Sequence, residues 1–417
     1  MNTPHNSPFI DPAFLRGMTR SRAASRRDVF RLAGLTAAGL ALSACGVQGQ
    51  KKAAPKPSEV AGFWSGKQKN GKVVFANWPE YMPEDRGPLK KFQQETGIAF
   101  EYLEVIEENA SFFGKSEPQL RAGQPLGYDI VVMTNGMQFA RMQALGYLVA
   151  LDHKQLPNFA ANAAPKYKNP AYDPNNTYSI PYTSGLTGIA YNTKYVKEPI
   201  TSIQALFDPK YKGKVGMMAD SQEIANFGLF ALGIEPEKAT KADWEKAAAK
   251  LKEQRDGGIV RKYYDQDYID AVSKGDVWLT MGWSGDVFQR QLAGEPVAFV
   301  VPEEGGTIWT DNMMIPKGAA NPVDALMLMD FLYRSEVAAE LTEYIQYVTP
   351  VPAVKDLLTA KAAGLKGEDK KALEAMVESP LVFPSEADYT KLHGYVSPAQ
   401  PADQEAFQGM FQAVTQG

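Results

Sequence analysis

Residues 72–104 read KVVFANWPEYMPEDRGPLKKFQQETGIAFEYLE, and the architecture unfolds from this run. Lys72 to Asn77 is a short apolar strand. From Glu84 to Glu95 the spacing sets Leu89 and Phe92 on one face of a helix, and Gly97 ends it. Ile98, Phe100 and Tyr102 then alternate as a second strand. Strand, helix and strand in so short a span make a βαβ unit, which implies an open, largely parallel sheet. Tyr128 to Met133, followed by a helix from Met137 to Leu145, repeats the pattern. After Tyr191 a second set is expected: strand Val215 to Met218, helices Glu223 to Leu232 and Ala242 to Gln254, strand Val277 to Met281, helix Ser284 to Leu292 and strand Val297 to Val301. Asn321 and Pro322 open a late helix running to Tyr333, with Asn as cap and Pro at the first helical position. The fold class is therefore α/β, in two lobes joined through strands, each an open mainly parallel sheet flanked by helices.

The residues before this region read differently. Leu32 to Ala44 is apolar for about 13 residues, short of the roughly 20 a membrane-spanning helix needs. Six arginines precede or open it, and Ser25-Arg26-Arg27-Asp28-Val29-Phe30 at its entry reads as a twin-arginine export signal. Leu42-Ser43-Ala44-Cys45 at its exit resembles the lipobox of bacterial lipoproteins, in which cleavage leaves an acylated cysteine as the first residue. Cys45 is the only cysteine of the chain, which removes disulfide frameworks and thiolate metal clusters. Residues 1–44 are expected to be the signal and 45–70 a lipid-anchored tether, its start rich in Lys, Ala, Gln and Pro. Folding is expected to begin near Gly71.

Composition narrows the function. The 417 residues, 44% apolar and 22% charged, are a globular composition long enough for two domains. Without residues 1–44 the chain keeps 38 basic and 46 acidic side chains, a net charge of about -8. That balance disfavours nucleic acid and suits a cationic ligand. His5, His153 and His393 are the only histidines, so zinc sites and Ser-His-Asp triads lack parts. No GxGxxG opens a helix and no GxxxxGK[ST] occurs, which leaves nucleotides without their usual phosphate cradle. Neither a metal nor a cofactor is expected. Carboxylates alone can hydrolyse glycosides, so a surface carbohydrate enzyme stays open as the less favoured reading.

What the sequence does supply is aromatics and carboxylates at the ends of expected strands, where open α/β sheets place ligands. Trp78 and Tyr81 follow the first strand, Asp220 and Glu223 follow Val215 to Met218, Trp283 follows Met281, Trp309 and Asp311 lie at the return from the second lobe, and Tyr347 follows the late helices. Each also has a structural reading. Asp220-Ser-Gln-Glu223 has the form of a helix capping box, and Trp283 and Trp309 could pack as core. Trp278, Trp64 and Trp244 read as structural, and Glu107 and Glu108 as a solvated loop that could also rim the cleft.

These segments resemble the spermidine/putrescine-binding proteins that serve polyamine ABC importers. The resemblance rests on Asn77-Trp78-Pro79-Glu80-Tyr81, Tyr128-Asp129-Ile130-Val131-Val132, Asp173 to Tyr182, Pro209-Lys-Tyr-Lys-Gly213, Glu303 to Asp311 and Gln346-Tyr347-Val-Thr-Pro350. It runs from about residue 71 to 352. It implies a type II periplasmic-binding-protein-like fold, lobe 1 from 71–185 and 312–380 and lobe 2 from 186–311 and 381–417, with the ligand cleft between them. It implies that Trp78, Tyr81, Trp283, Trp309 and Tyr347 sandwich a polyamine's methylenes while Asp220, Glu223 and Asp311 hold its ammonium groups. A membrane permease would be the partner, and the binding protein a monomer at the outer face of the membrane or in the periplasm. One position departs: where the family commonly places a tyrosine after the third strand, this chain has Thr134-Asn135-Gly136-Met137-Gln138. Thr134 can still donate a hydroxyl there. Another organic cation or Fe(III) on the same scaffold remains the alternative ligand; Tyr263-Tyr264 is the adjacent tyrosine pair an iron site would call on.

Overall fold

The computed structural model describes residues 54–396, 398 and 401–416. The expected export signal and Cys45 lie outside them. Ten strands are described: β1 (Lys72–Asn77), β2 (Ala99–Glu104), β3 (Ile130–Thr134), β4 (Ser179–Asn192), β5 (Val215–Met218), β6 (Val260–Tyr264), β7 (Leu279–Trp283), β8 (Val297–Val300), β9 (Gly306–Met314) and β10 (Leu392–His393). They form one continuous path, β2-β1-β3-β9-β4-β7-β5-β6, with β10 beside β9 and β8 beside β4.

Two parallel sets flank an antiparallel middle. β1 runs parallel to β2, from Lys72 opposite Ala99 to Asn77 opposite Glu104, and parallel to β3. β5 runs parallel to β6 and β7. Between the sets, β9 pairs antiparallel with β3 and β4, and β4 pairs antiparallel with β7. The long strands β4 and β9 thus carry the chain from one lobe to the other. This is a two-lobe, type II architecture with an α/β sheet in each lobe.

Apolar burial follows the same division. One cluster gathers Val73, Phe75, Leu89, Phe92 and Ile130 with Leu326, Met329 and Val337 from the late helices. A separate one gathers Val215, Met217, Phe227, Leu251, Leu279 and Met281 with Phe407, Phe411 and Val414 from the C-terminal helix Pro401–Thr415. Burying so many aliphatic and aromatic side chains, at about 1.5–3 kcal/mol each, is the main force holding either lobe together.

Three local expectations need correction. The first helix spans Gly87–Thr96 rather than beginning at Glu84. Arg86 takes a left-handed φ of 57°, so the turn from Pro83 is not helical, and the Asp85 carboxylate accepts the Gly87 N–H at 3.0 Å. The end at Gly97 is as read, with φ 72° and its N–H donating to Gln93. Folding begins earlier than Gly71: Pro57–Trp64, inside the expected tether, is a helix. Val60 and Trp64 pack on the first cluster, and the Trp64 indole donates to the Ala150 carbonyl at 2.8 Å. Glu107 and Glu108 lie exposed in a loop as read, and the Glu108 carboxylate also caps the helix Asn109–Arg121 by accepting from Ala110 and Ser111 N–H groups. Trp244 is buried as read, whereas Trp278 lies partly open and stacks on Tyr195, with ring centres 5.3 Å apart. Among the described residues no helix is long and apolar enough to cross a membrane.

Candidate functional site

The aromatic residues singled out in the sequence meet along the junction of the lobes. Trp78 and Tyr81 leave the end of β1, and their rings lie 6.4 Å apart. Tyr81 is 6.3 Å from Tyr347, Tyr347 is 5.3 Å from Trp309, and Trp309 is 6.4 Å from Trp283. The five rings form one unbroken wall. Two glycines let it sit close to the backbone. A Cβ at Gly185 on β4 would fall 2.2 Å from the Trp309 ring, and one at Gly285 would fall 2.7 Å from the Tyr347 ring. No side chain fits at either place.

Three carboxyl centres are strung along this wall. Asp311 on β9 is only 2% exposed. It accepts from the Tyr81 hydroxyl at 2.8 Å and from the Thr134 hydroxyl at 2.7 Å. Thr134, the last residue of β3, is fixed in turn by Asn109, which donates to its hydroxyl and accepts its N–H. Burial pushes the Asp311 carboxyl up to about 6, and the two hydroxyl donors only partly oppose it.

The second centre is Glu223, also 2% exposed, in the first turn of the helix Ser221–Phe230. Its Oε1 accepts from the Thr187 hydroxyl at 2.8 Å, the Trp283 indole at 3.0 Å and the Tyr395 hydroxyl at 2.8 Å. Its Oε2 is buried and has no hydrogen-bond partner. Burial first, then the neighbouring Asp220 charge, pushes this carboxyl up to about 7. Asp220 stays exposed and caps the helix, accepting from Gln222 and Glu223 N–H groups at 2.8 and 2.9 Å. The capping-box reading is therefore half fulfilled. Asp220 caps, while Glu223 turns away from the cap to face the aromatic wall.

The third centre, Asp286, was not singled out from the sequence. It lies three residues beyond Trp283 in the helix Ser284–Leu292 and accepts from Tyr268 at 2.7 Å and from Tyr347 at 2.8 Å. Burial raises its carboxyl above the ordinary range. Its position at a strand end, like that of Asp220, was the signal available for it. Tyr395 had none, since it follows the two-residue β10 far along the chain. The phenols of Tyr81, Tyr268, Tyr347 and Tyr395 are all pushed well above 10 by burial and by the carboxylates beside them, so they remain protonated donors.

The partners of these four carboxylates are hydroxyl, indole and amide groups. Nearby arginines are engaged elsewhere: Arg290 pairs with Asp270 and Glu295, and Arg86 with Glu104. A buried carboxylate held only by neutral donors is short of compensating positive charge. Chemically, the arrangement suits an elongated cation whose apolar segments lie on aromatic faces. No group of three or more His, Cys, Asp or Glu side chains suited to a metal ion is found among the described residues.

The model of the bacterial extracellular solute-binding proteins matches residues 89–375. The chain belongs to that family. Among its relatives, the spermidine/putrescine-binding periplasmic protein of Escherichia coli is 34% identical over 298 residues, covering 71% of this chain and 82% of that protein. The putrescine/cadaverine-binding protein of Pseudomonas aeruginosa is 31% identical over 314 residues, covering 70% and 84%. A putative spermidine/putrescine ABC transporter from Listeria monocytogenes superposes with a TM-score of 0.69 at 25% identity, over 82% of this chain and 98% of that one. Bacterial extracellular solute-binding proteins capture rather than transform their ligands, which fits a site built from neutral donors around carboxylates. The matched segment contains Asp220, Glu223, Asp286, Asp311 and Tyr347, whereas Trp78, Tyr81 and Tyr395 lie outside it.

Proposed function

We propose that this protein is the substrate-binding component of an ABC importer and captures a polyamine, putrescine or spermidine, for delivery to a membrane permease. One observation carries the reading: three carboxyl centres, the buried Glu223 and Asp311 and the half-buried Asp286, each held by neutral donors, lie along a single wall of five aromatic rings. A polyamine loses hydration from at least two charges on binding. Paired carboxylates offset that loss, and the rings cover the methylenes between the charges. The names of the relatives support the same ligand class. Trp78, Tyr81, Tyr347, Trp309 and Trp283 are the walls in this reading. Asp311, with Thr134 and Tyr81, holds one ammonium group, and Glu223, with Asp220 at the rim, holds another.

The export signal Ser25–Phe30 and the Leu42–Cys45 motif support delivery across the membrane and anchoring through Cys45 as a monomeric lipoprotein. The Pro57–Trp64 helix leaves fewer than a dozen residues between Cys45 and the fold, which would hold the cleft close to the bilayer. Residues 71–185 and 312–380 would move as one lobe and the remainder as the other, closing by hinge motion through β4 and β9.

Isothermal titration of the mature protein with putrescine and spermidine tests the reading. Micromolar or tighter binding is expected for one of them, and no heat with either would end the polyamine assignment. A visible charge-transfer band on adding ferric ion would favour the iron alternative instead.

A further inference from the structure

Gln222 stands between the two site carboxylates Asp220 and Glu223, yet its side chain points at neither. Its carboxamide is buried, with Oε1 accepting the Met137 N–H at 3.0 Å and Nε2 donating to the Val396 carbonyl at 3.1 Å. Met137 belongs to the first lobe: it opens the helix that follows β3, and Phe139 and Met142 of that helix pack with Ala76, Val131 and Met133. Its own side chain, however, is buried in the second lobe's cluster beside Ile224 and Val396. The turn after β3 is thus plugged into the opposite lobe, and Gln222 receives it.

The residue before the plug is a glycine, and any side chain there would push on the Gln222 carboxamide. A Cβ at Gly136 would lie 2.7 Å from Gln222 Oε1 and 3.2 Å from Nε2. The Gln222 carboxamide thus fills the space beside Gly136 in the Thr134–Gln138 segment. On its other side Gln222 grips Val396, whose N–H is also taken by the Asn226 carboxamide at 3.2 Å. The preceding residue, Tyr395, is the one that donates to Glu223. Met137, the C-terminal segment and the Glu223 carboxyl are therefore joined through one side chain.

We propose that Gln222 is a positioning residue for ligand capture, latching the closed lobes through the Met137 amide in the space beside Gly136. The inference rests on the polyamine reading of the site and adds to it a residue that sets how long the ligand is held. Because the Met137 contact bridges the two lobes, its loss is expected to act on the ligand's escape and not on the folding of either lobe.

The test is a double-mutant cycle on the mature protein with Gln222→Ala, Gly136→Ala and both, using putrescine and spermidine in stopped-flow dissociation and titration, with thermal melting alongside. Gly136→Ala changes no residue of the second lobe and presses only on the Gln222 carboxamide. It is expected to speed dissociation about tenfold while the ligand-free melting temperature stays put, and Gln222→Ala to speed it by a similar factor. In the double variant the added methyl meets no carboxamide, so Gly136→Ala should have no further effect. Wild-type dissociation rates in Gly136→Ala, or losses that multiply in the double variant, would overturn the latch while leaving the polyamine reading standing. A wild-type protein that binds neither polyamine overturns that reading, and the latch with it.

Discussion

Replacing Glu223 by Gln separates the two things its carboxyl does. Glutamine keeps the shape, and its oxygen can accept the same three donors from Thr187, Trp283 and Tyr395. Its nitrogen takes the place of Oε2, which has no partner, at a cost of about 1–3 kcal/mol for an unsatisfied amide. Raising the glutamate from its ordinary 4.5 to about 7 means that holding it ionised in the ligand-free fold costs roughly 3 kcal/mol. The sign follows from the raised value. That cost is absent below about pH 4.5, grows as pH rises, and is complete above about 7.

Ligand-free Glu223→Gln should therefore gain about 3 kcal/mol on the wild type in going from pH 5 to pH 8, whatever the fixed cost of the amide. In melting curves the variant would rise relative to wild type by a few °C. Binding moves the other way. Losing one charge-assisted contact to an ammonium removes about 1.5–3 kcal/mol, or roughly 10- to 150-fold in putrescine affinity at pH 8. Differential scanning calorimetry at the two pH values, with titration at pH 8, reads both effects. Melting curves that keep the same offset at pH 5 and 8, together with unchanged affinity, would show that Glu223 is a structural acceptor with no ionic role, and the charge argument would fail.

Asp286→Asn should lower putrescine or spermidine affinity by about tenfold or more while Tyr268 and Tyr347 keep an acceptor; titration that matches wild type would remove Asp286 from the ligand set. Because Asp311 sits at about 6 and Glu223 at about 7, a bound cation should expel protons near pH 6.5, so affinity rises from pH 5.5 to 8. Titration in buffers of differing ionisation heat measures that release, and identical heats in all of them would contradict it. Trp64→Ala should cost about 3 kcal/mol in urea unfolding by emptying the space under Pro57–Trp64, and an unchanged midpoint would return that helix to the tether.

Most strands and the alternation of lobes were legible because parallel strands buried on both faces read as near-continuous apolar runs: Val215–Met218 falls where it was expected, as does the helix Ser284–Leu292. Less legible were features set by single-residue geometry or by distant partners. The left-handed Arg86 delays the first helix by three residues, although nothing in an arginine announces such a φ. Trp64 earns its burial from the Ala150 carbonyl, 86 positions away, so the tether looked longer than it is. At the site, strand ends led to Trp78, Asp220, Trp283 and Asp311, and the same rule applied one helical turn further would have reached Asp286. Tyr395 lay beyond it, being placed by β10 pairing beside Gly306 and Thr307 and by Glu237, which holds His393 and the Gly394 N–H.

That placement bears on how the site is divided between the lobes. Asp311, on the crossing strand β9 at the edge of the expected lobe boundary, lies opposite Thr134 and draws its donors, Tyr81 and Thr134, from the ends of β1 and β3, so this centre stays with the first lobe. Glu223 draws on Trp283 and Tyr395 from the second lobe and on Thr187 from the crossing strand β4. Asp286 alone is shared across the junction, with Tyr268 from its own lobe and Tyr347 from the other. Opening the cleft would leave Asp311 and Glu223 with their donors and strip Asp286 of Tyr347. A cation meeting the open protein would find two prepared anionic sites and a third completed only on closure. Differential affinity for the closed state, which any ligand-driven closure requires, would then reside at Asp286 and in the Trp309–Tyr347 contact beside it, and not in the two more buried carboxyls.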